Sequence, residues 1–110
     1  MHDTLPYRAV AASGRNFDIA FPLHPETAAR ADVADLLTVV LHALDRHIRN
    51  RPALGNGDVL QALAMAMAVR TLPIPAPVTV VGPLALDLLA TALDAAERAL
   101  AGSGHAPGHA

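Results

Sequence analysis

Polar side chains with the means to do chemistry gather at residues 42–49. A helix places residues three and four apart on one face, and imidazole, carboxylate and guanidinium groups recur there at such spacing. Such a stripe could hold a metal or an anion. A polar stripe opposite leucines is also what any surface helix shows, so the simpler interpretation is a solvated face. The candidate residues are His42, Asp45, Arg46 and Arg49.

The remaining histidines do not form a metal site by spacing. His47 lies five residues from His42, which turns the two rings about 140° apart on a helix, too far to share one ion. We expect His47 to be partly packed and hydrogen-bonded. His105 and His109 are separated by Pro107-Gly108, which prevents a helical chelate. We predict no metal and no cofactor.

The residue inventory disfavours an enzyme. The chain has no cysteine and no lysine, so a thiol nucleophile, a Schiff-base amine and a Walker phosphate loop are excluded. Ser13 and Ser103 lack the setting of a nucleophile elbow. The helical carboxylates fall at surface positions, where their charge is solvated. A dimer interface remains one way to assemble His42, Asp45 and Arg46 into a weak active site.

Nucleic-acid binding is also disfavoured. The densest basic run, Arg46–Arg51, could contact phosphates, but the net charge is −2. The three aromatic residues lie in or near a predicted hairpin and do not alternate with this run. The link Asn50–Gly57 is longer than the turn of a helix-turn-helix motif.

The residue pattern in the N-terminal quarter of the chain predicts a β-hairpin over about residues 5–23. Phe17, Ile19, Phe21 and Leu23 alternate with other residues, the period of a strand. Tyr7–Ala12 is the predicted partner strand, joined through the turn-forming segment Ser13–Asn16. A two-stranded hairpin is marginal by itself and must pack on another element.

Three helices are predicted after the hairpin, at about residues 25–49, 58–72 and 83–101. Pro25 suits the first position of the first helix, whose apolar residues recur in steps of three and four. Asp58, with Gln61 three residues on, resembles a capping box. Gly82-Pro83 opens the third helix, although Val78–Val81 could instead be a short strand. Gly102 then ends it, and 102–110 form a flexible tail.

Apolar segments in the second half of the chain need to be weighed as membrane spans. Val59–Val69 is about half the length of a span, and Val78–Leu93 is interrupted by Gly82-Pro83 and Asp87. Both are interpreted as core, so no membrane association is expected. The first residues resemble no secretory signal, and the absence of cysteine permits any compartment, which leaves the cytoplasm as the default.

The second predicted helix is the most informative segment, because it carries no charge between Asp58 and Arg70. It therefore lacks the polar face that the other two helices have. Either the hairpin covers it, or a second copy of the chain does; we favour a two-fold homodimer. The predicted interface residues are Leu60, Leu63, Ala64 and Met67.

Together these patterns predict a mostly helical α+β domain spanning residues 1–101. Its N-terminal hairpin packs on three helices, and helix 2 is buried centrally. The favoured function is a non-catalytic interaction or regulatory module that acts as a homodimer through an apolar groove or an open strand edge. The alternative is a protein that binds a small molecule or anion on the polar stripe of helix 1, and a nucleic-acid-binding regulator comes third.

Overall fold

The computed structural model of the chain, which describes residues 3–10 and 14–104, contains two strands followed by three helices. This order confirms the predicted fold class, a mostly helical α+β chain with an N-terminal hairpin. The elements are β1 (Thr4–Val10), β2 (Asn16–Pro22), α1 (Arg30–Arg49), α2 (Asn56–Thr71) and α3 (Val78–Gly104).

The hairpin has one apolar and one polar face. β1 and β2 pair antiparallel, with Tyr7 opposite Ile19. Odd-numbered side chains on both strands are buried or half-buried, whereas most even-numbered ones are exposed. The rings of Tyr7 and Phe21 lie with centroids 6.5 Å apart, within the range of favourable aromatic pairs. The predicted alternation of Phe17, Ile19 and Phe21 is therefore confirmed.

Both free edges of the hairpin carry a proline. Leu23 N–H donates to the Asp3 carbonyl at 2.8 Å, so odd-numbered residues form the hydrogen-bonded pairs of the ladder. Even-numbered residues then direct their backbone groups outward, and Pro6 and Pro22 are among them. Each edge thus lacks one donor, which discourages pairing with another strand.

An ion pair crosses the polar face of the hairpin. Arg8 Nε donates to Asp18 Oδ1 at 2.8 Å, and the two residues are directly opposite in the register. This hydrogen bond, together with the guanidinium charge, lowers the pKa of the Asp18 carboxyl from its usual value. Both side chains are well exposed, so the pair stabilises the hairpin only modestly.

The chain forms two compact units. The first comprises Met1–Ala34 and Leu86–Ala110, and Leu5 and Ala95 are buried in it. Within this unit Arg30 Nη2 donates to the Thr4 carbonyl at 2.6 Å, which ties the start of α1 to β1. The second unit, Asp35–Ala85, contains most of α1, all of α2 and the start of α3. The single-domain prediction for residues 1–101 stays a prediction.

The first helix begins later than predicted. α1 starts at Arg30, and Pro25 lies in a turn that precedes it. His24 organises this turn, because its Nδ1 accepts the Glu26 N–H and its carbonyl accepts the Thr27 N–H. These local bonds hold the segment in a non-helical conformation.

The third helix begins earlier and ends later than predicted. Val78–Val81 are helical, so the alternative of a short strand is wrong. The Pro77 carbonyl accepts the N–H groups of Val80 and Val81, and once a first turn forms, helix propagation outweighs the preference of β-branched residues for strands. Pro83 lies inside α3, which continues through Gly102 to Gly104. His105 and His109 lie outside the described residues.

Helix 2 is not buried centrally. None of the α2 residues is buried, and Leu60 retains 68% of its accessible surface. In the whole described chain only Leu5, Val81 and Ala95 are buried. The apolar circumference of α2 therefore does not imply burial within one chain.

α3 also has the composition of a membrane span. Val78–Gly102 is long and apolar enough to cross a bilayer by length and composition, with a mean hydropathy of 1.6 in its most apolar window. Only 11% of that window is buried within the chain, so α3 is not a core helix, and one such helix is by itself weak support for membrane insertion.

The Asp18→Asn variant tests the hairpin ion pair. Because the folded-state pKa of Asp18 is lowered, its stabilising contribution is complete above the unfolded value of about 3.9 and is lost as the pH falls through the folded value. We expect a slightly lower melting temperature than wild type at pH 7 and a difference that vanishes at strongly acidic pH. Asp45→Asn, which removes an exposed carboxylate without a described ion pair, is the control; equal effects of both variants would contradict the assignment.

Candidate functional site

An apolar groove of about 470 Å³ lies between α1 and α2, within the second unit. The second half of α1 forms one wall, and Leu54 with the first half of α2 forms the other. Among its lining side chains only His47 and Asp58 are polar. The lining residues are Val39, Val40, Ala43, Leu44, His47, Ile48, Leu54, Asp58, Val59 and Ala62.

α1 reaches the groove because it carries two apolar stripes rather than one. The inner stripe is half-buried and consists of Leu37, Leu41, Leu44 and Ile48. The outer stripe is exposed and recurs in steps of three and four; Leu36 retains 64% of its accessible surface. The outer stripe of α1 consists of Val33, Leu36, Val40, Ala43 and His47. Large apolar residues lie in both stripes, so apolar periodicity alone does not distinguish the inner stripe from the outer one.

α2 presents a matching exposed stripe on the other side of the groove. Asp58 and Ala62 line the groove, and the same helical spacing leads on to Met65, Val69 and Leu72. Leu72 follows the last residue of α2 but keeps a helical backbone, so the stripe extends through it. Met65 and Val69 retain 58% and 61% of their accessible surface. These five residues are the outer stripe of α2.

The predicted interface residues of helix 2 do not share one exposed face. Leu63 and Met67 are half-buried, whereas Leu60 and Ala64 are exposed. Leu60 lies about 140° around the helix from Met65. Met65, Val69 and Leu72 are not among the predicted interface residues, and no signal in the sequence selects them, because apolar residues surround this helix on all sides. The interface role of the original four stays a prediction.

Asp58 fixes the start of α2 at the edge of the groove. Its Oδ2 accepts the Gly55 N–H at 3.0 Å. Gly55 is the N-cap, with an extended backbone (φ −89°, ψ 166°), so Asp58 is the third helical residue and not the cap that the sequence suggested. Gly55 has no side chain, so only one of the two hydrogen bonds of a capping box forms. The Asp58 carboxylate is therefore engaged with the backbone.

The polar stripe of α1 is separate from the groove. His42, Asp45, Arg46 and Arg49 are all exposed. Among the residues that the structure describes, no three potential metal ligands come together, and no side-chain hydrogen bond or ion pair links these four to one another. Their geometry is that of a solvated helix face, and the ligand-binding role assigned to them stays a prediction.

His47 is placed differently from the expectation. It is exposed rather than partly packed, and it belongs to the groove rather than to the polar stripe. The Asp58 carboxylate already accepts the Gly55 N–H. His47 is the one basic group among the lining residues. Its imidazole can donate or accept a single hydrogen bond to whatever occupies the groove.

Comparison with known proteins gives no relative for this chain. No protein-family description, curated protein or solved structure matches it. Function must therefore be argued from the geometry of the chain.

Asp58→Ala tests whether this carboxylate fixes the wall of the groove. Removing the hydrogen bond to Gly55 and the negative charge in the first turn should lower the free energy of unfolding by about 0.5–1 kcal/mol. Chemical denaturation measures this change. Asp45→Ala, on the solvated face of α1, is the control and should change stability less; the reverse order would contradict the capping role.

Proposed function

We propose that this protein is a non-catalytic interaction module whose working form is a homodimer. The two copies meet through the α1–α2 face, which we define as the groove, residues 36–47 of the outer stripe of α1 and the outer stripe of α2. The proposal rests on one observation: large apolar side chains on this face are exposed although the chain has very few buried ones.

The exposed apolar area supports association. Among the described residues, 18 large apolar side chains are exposed, on the order of 1,000 Å² at about 60–120 Å² for a complete side chain. Each partner of a stable complex buries about 800 Å². Six of the 18 lie on the α1–α2 face and form one patch of about 300 Å², which is the lower end of the range for the largest apolar patch on a typical monomer, a patch that is often functional. The six are Leu36, Val39, Val40, Met65, Val69 and Leu72.

A second copy is the favoured occupant because a two-fold dimer uses the same patch on both chains. Two-fold dimers are the commonest oligomers of soluble proteins. One self-complementary face is then covered on both chains without a second kind of protein. The chemistry of the groove suits this role, since its lining is apolar apart from His47 and an already bonded Asp58.

We place the working dimer in the cytoplasm rather than in a bilayer. Asp87 and Asp94 lie three and four residues from the midpoint of the apolar stretch Val78–Gly102. Each carboxylate near the centre of a span costs about 2.5–3.5 kcal/mol to insert. Both carboxylates are exposed, and they keep their hydration when the helix stays outside the bilayer.

Small-molecule binding is a second candidate, favoured by the size of the groove. Its volume of about 470 Å³ falls within the range of about 300–1,000 Å³ for ligand pockets. A ligand here would be largely apolar with one polar group near His47. This differs from anion binding on the polar stripe of α1, whose four residues do not line the groove.

The proposed dimer is tested by mass and by one charge placed on the α1–α2 face. Light scattering on the wild type should give twice 11.4 kDa. Met65→Glu should give a monomer, because it buries an unpaired carboxylate in the interface. Leu60→Glu is the matched control. Leu60 is a comparably exposed apolar residue of the same helix, but it lies off the α1–α2 face, so the variant should remain a dimer.

Three results would count against the proposal. A wild-type monomer at micromolar concentration would refute the dimer. Dissociation by Leu60→Glu but not by Met65→Glu would move the interface to the opposite side of α2. A wild-type monomer whose melting temperature rises with an apolar fluorescent probe, and whose Ala62→Glu variant loses that rise, would favour the small-molecule candidate.

A further inference from the structure

We infer that the two copies pair α1 with α1 in antiparallel orientation, in one register set by Asp32 and Arg46. The inference rests on the proposed homodimer and adds the partner element, its direction and its alignment. Two observations carry it, the spacing of the outer stripe of α1 and the distribution of charge along the same helix.

The outer stripe of α1 has the spacing of a helix-pairing seam. Its residues recur at steps of three, four, three and four from Val33 to His47, which is the a/d pattern of a coiled coil. The large members are exposed in the single chain, with Leu36 at 64%. Such a stripe is covered by a second helix that lies nearly parallel or antiparallel to it, at an angle of about 20°.

Charge along α1 selects the antiparallel orientation. The start of α1 carries Arg30 against two carboxylates, Asp32 and Asp35, for a net charge of −1, and its end carries Asp45 against two guanidinium groups, Arg46 and Arg49, for a net charge of +1. A parallel pair would place the two acidic ends together and the two basic ends together. An antiparallel pair places each acidic end beside a basic end and also opposes the two helix dipoles favourably.

The positions of Asp32 and Arg46 then set the register. They are 14 residues apart, two heptads, so both flank the seam on the same side. In an antiparallel pair, Asp32 of one copy is aligned with Arg46 of the other when the two-fold axis passes beside Val39, the residue midway between these two positions. Asp32 then lies by Arg46 of the second copy, twice by symmetry, and Val39 meets its own counterpart. Leu36 packs beside Val40 of the second copy.

The groove fits this arrangement. In this register the first half of the second α1 runs along the second half of the first, which is the stretch of α1 that lines the groove. Leu36 of each copy would lie at the groove of the other. Val39, which retains 63% of its accessible surface in the single chain, would be covered at the axis. In this arrangement α1 of the second copy would both occupy the groove and cover the outer stripe of α1.

Charge reversal tests the orientation and register. Arg46→Asp replaces two attractions across the interface with two repulsions, so we expect the dimer dissociation constant, measured by sedimentation, to rise about tenfold or more. Asp32→Arg should have a similar effect. The double variant Asp32→Arg/Arg46→Asp restores opposite charges and should return the constant to near the wild-type value. Arg49→Asp is the matched control: it makes the same charge change in the same turn but on the far side of α1.

Cross-linking provides a test that does not depend on affinity. The chain contains no cysteine, so a single introduced thiol is the sole site for a short bis-maleimide reagent. Val39→Cys should give covalent dimer efficiently because the residue meets its counterpart at the axis. His42→Cys, on the solvated face, is the control and should not cross-link above the level of random collision.

The outcomes separate this inference from the proposed function. If the wild type is a dimer but Arg46→Asp and Arg49→Asp act equally and Val39→Cys does not cross-link, the antiparallel register is wrong and the dimer stands. If Asp32→Cys cross-links to itself, the helices pair in parallel and the inference is overturned. If the wild type is a monomer, the proposed function and the inference fall together.

Discussion

The constraint on which this structure depends is that one copy of the chain buries too little apolar surface. Three side chains are buried among the described residues, whereas 18 large apolar ones are exposed. Ordering a chain costs roughly 1–2 kcal/mol per residue in conformational entropy, and burial of apolar surface is the main term that offsets it. A structure with so small a core gains much of its stability from whatever covers the rest. In the proposed homodimer the second copy would supply that cover, and folding and association would then be coupled.

The three helices meet this constraint in different ways. α1 divides its circumference into an inner stripe, an outer stripe and a polar face, so its orientation toward solvent is defined. α2 has no charged residue between Asp58 and Arg70 and depends on its neighbours to define its faces. α3 carries Asp94 and Arg98 as an exposed ion pair of 2.6 Å one turn apart, and this pair together with Asp87 gives the helix a polar side that faces water.

The sequence predicted those elements whose own residues decide their structure. Alternation alone located β2, because Phe17, Ile19 and Phe21 share a face whatever surrounds them. The sequence pattern did not locate the start of α1, because the turn before it depends on a hydrogen bond in which the His24 side-chain nitrogen accepts a backbone N–H. The sequence also does not reveal which face of α2 is exposed, because apolar residues surround the helix and their periodicity therefore indicates no preferred side. Only the position of the groove in the structure distinguishes Met65 from Leu60.

The prolines at the hairpin edges bear on how far assembly can grow. Pro6 and Pro22 each remove a donor from an outward-facing edge of the two-stranded sheet. One missing donor on each edge interrupts the row of backbone hydrogen bonds that a further strand would need, which makes edge-to-edge stacking of hairpins unfavourable. In the proposed homodimer, two-fold pairing would cover the same helical patch on both copies and would therefore end at two. Together the two features would restrict assembly to a small closed unit.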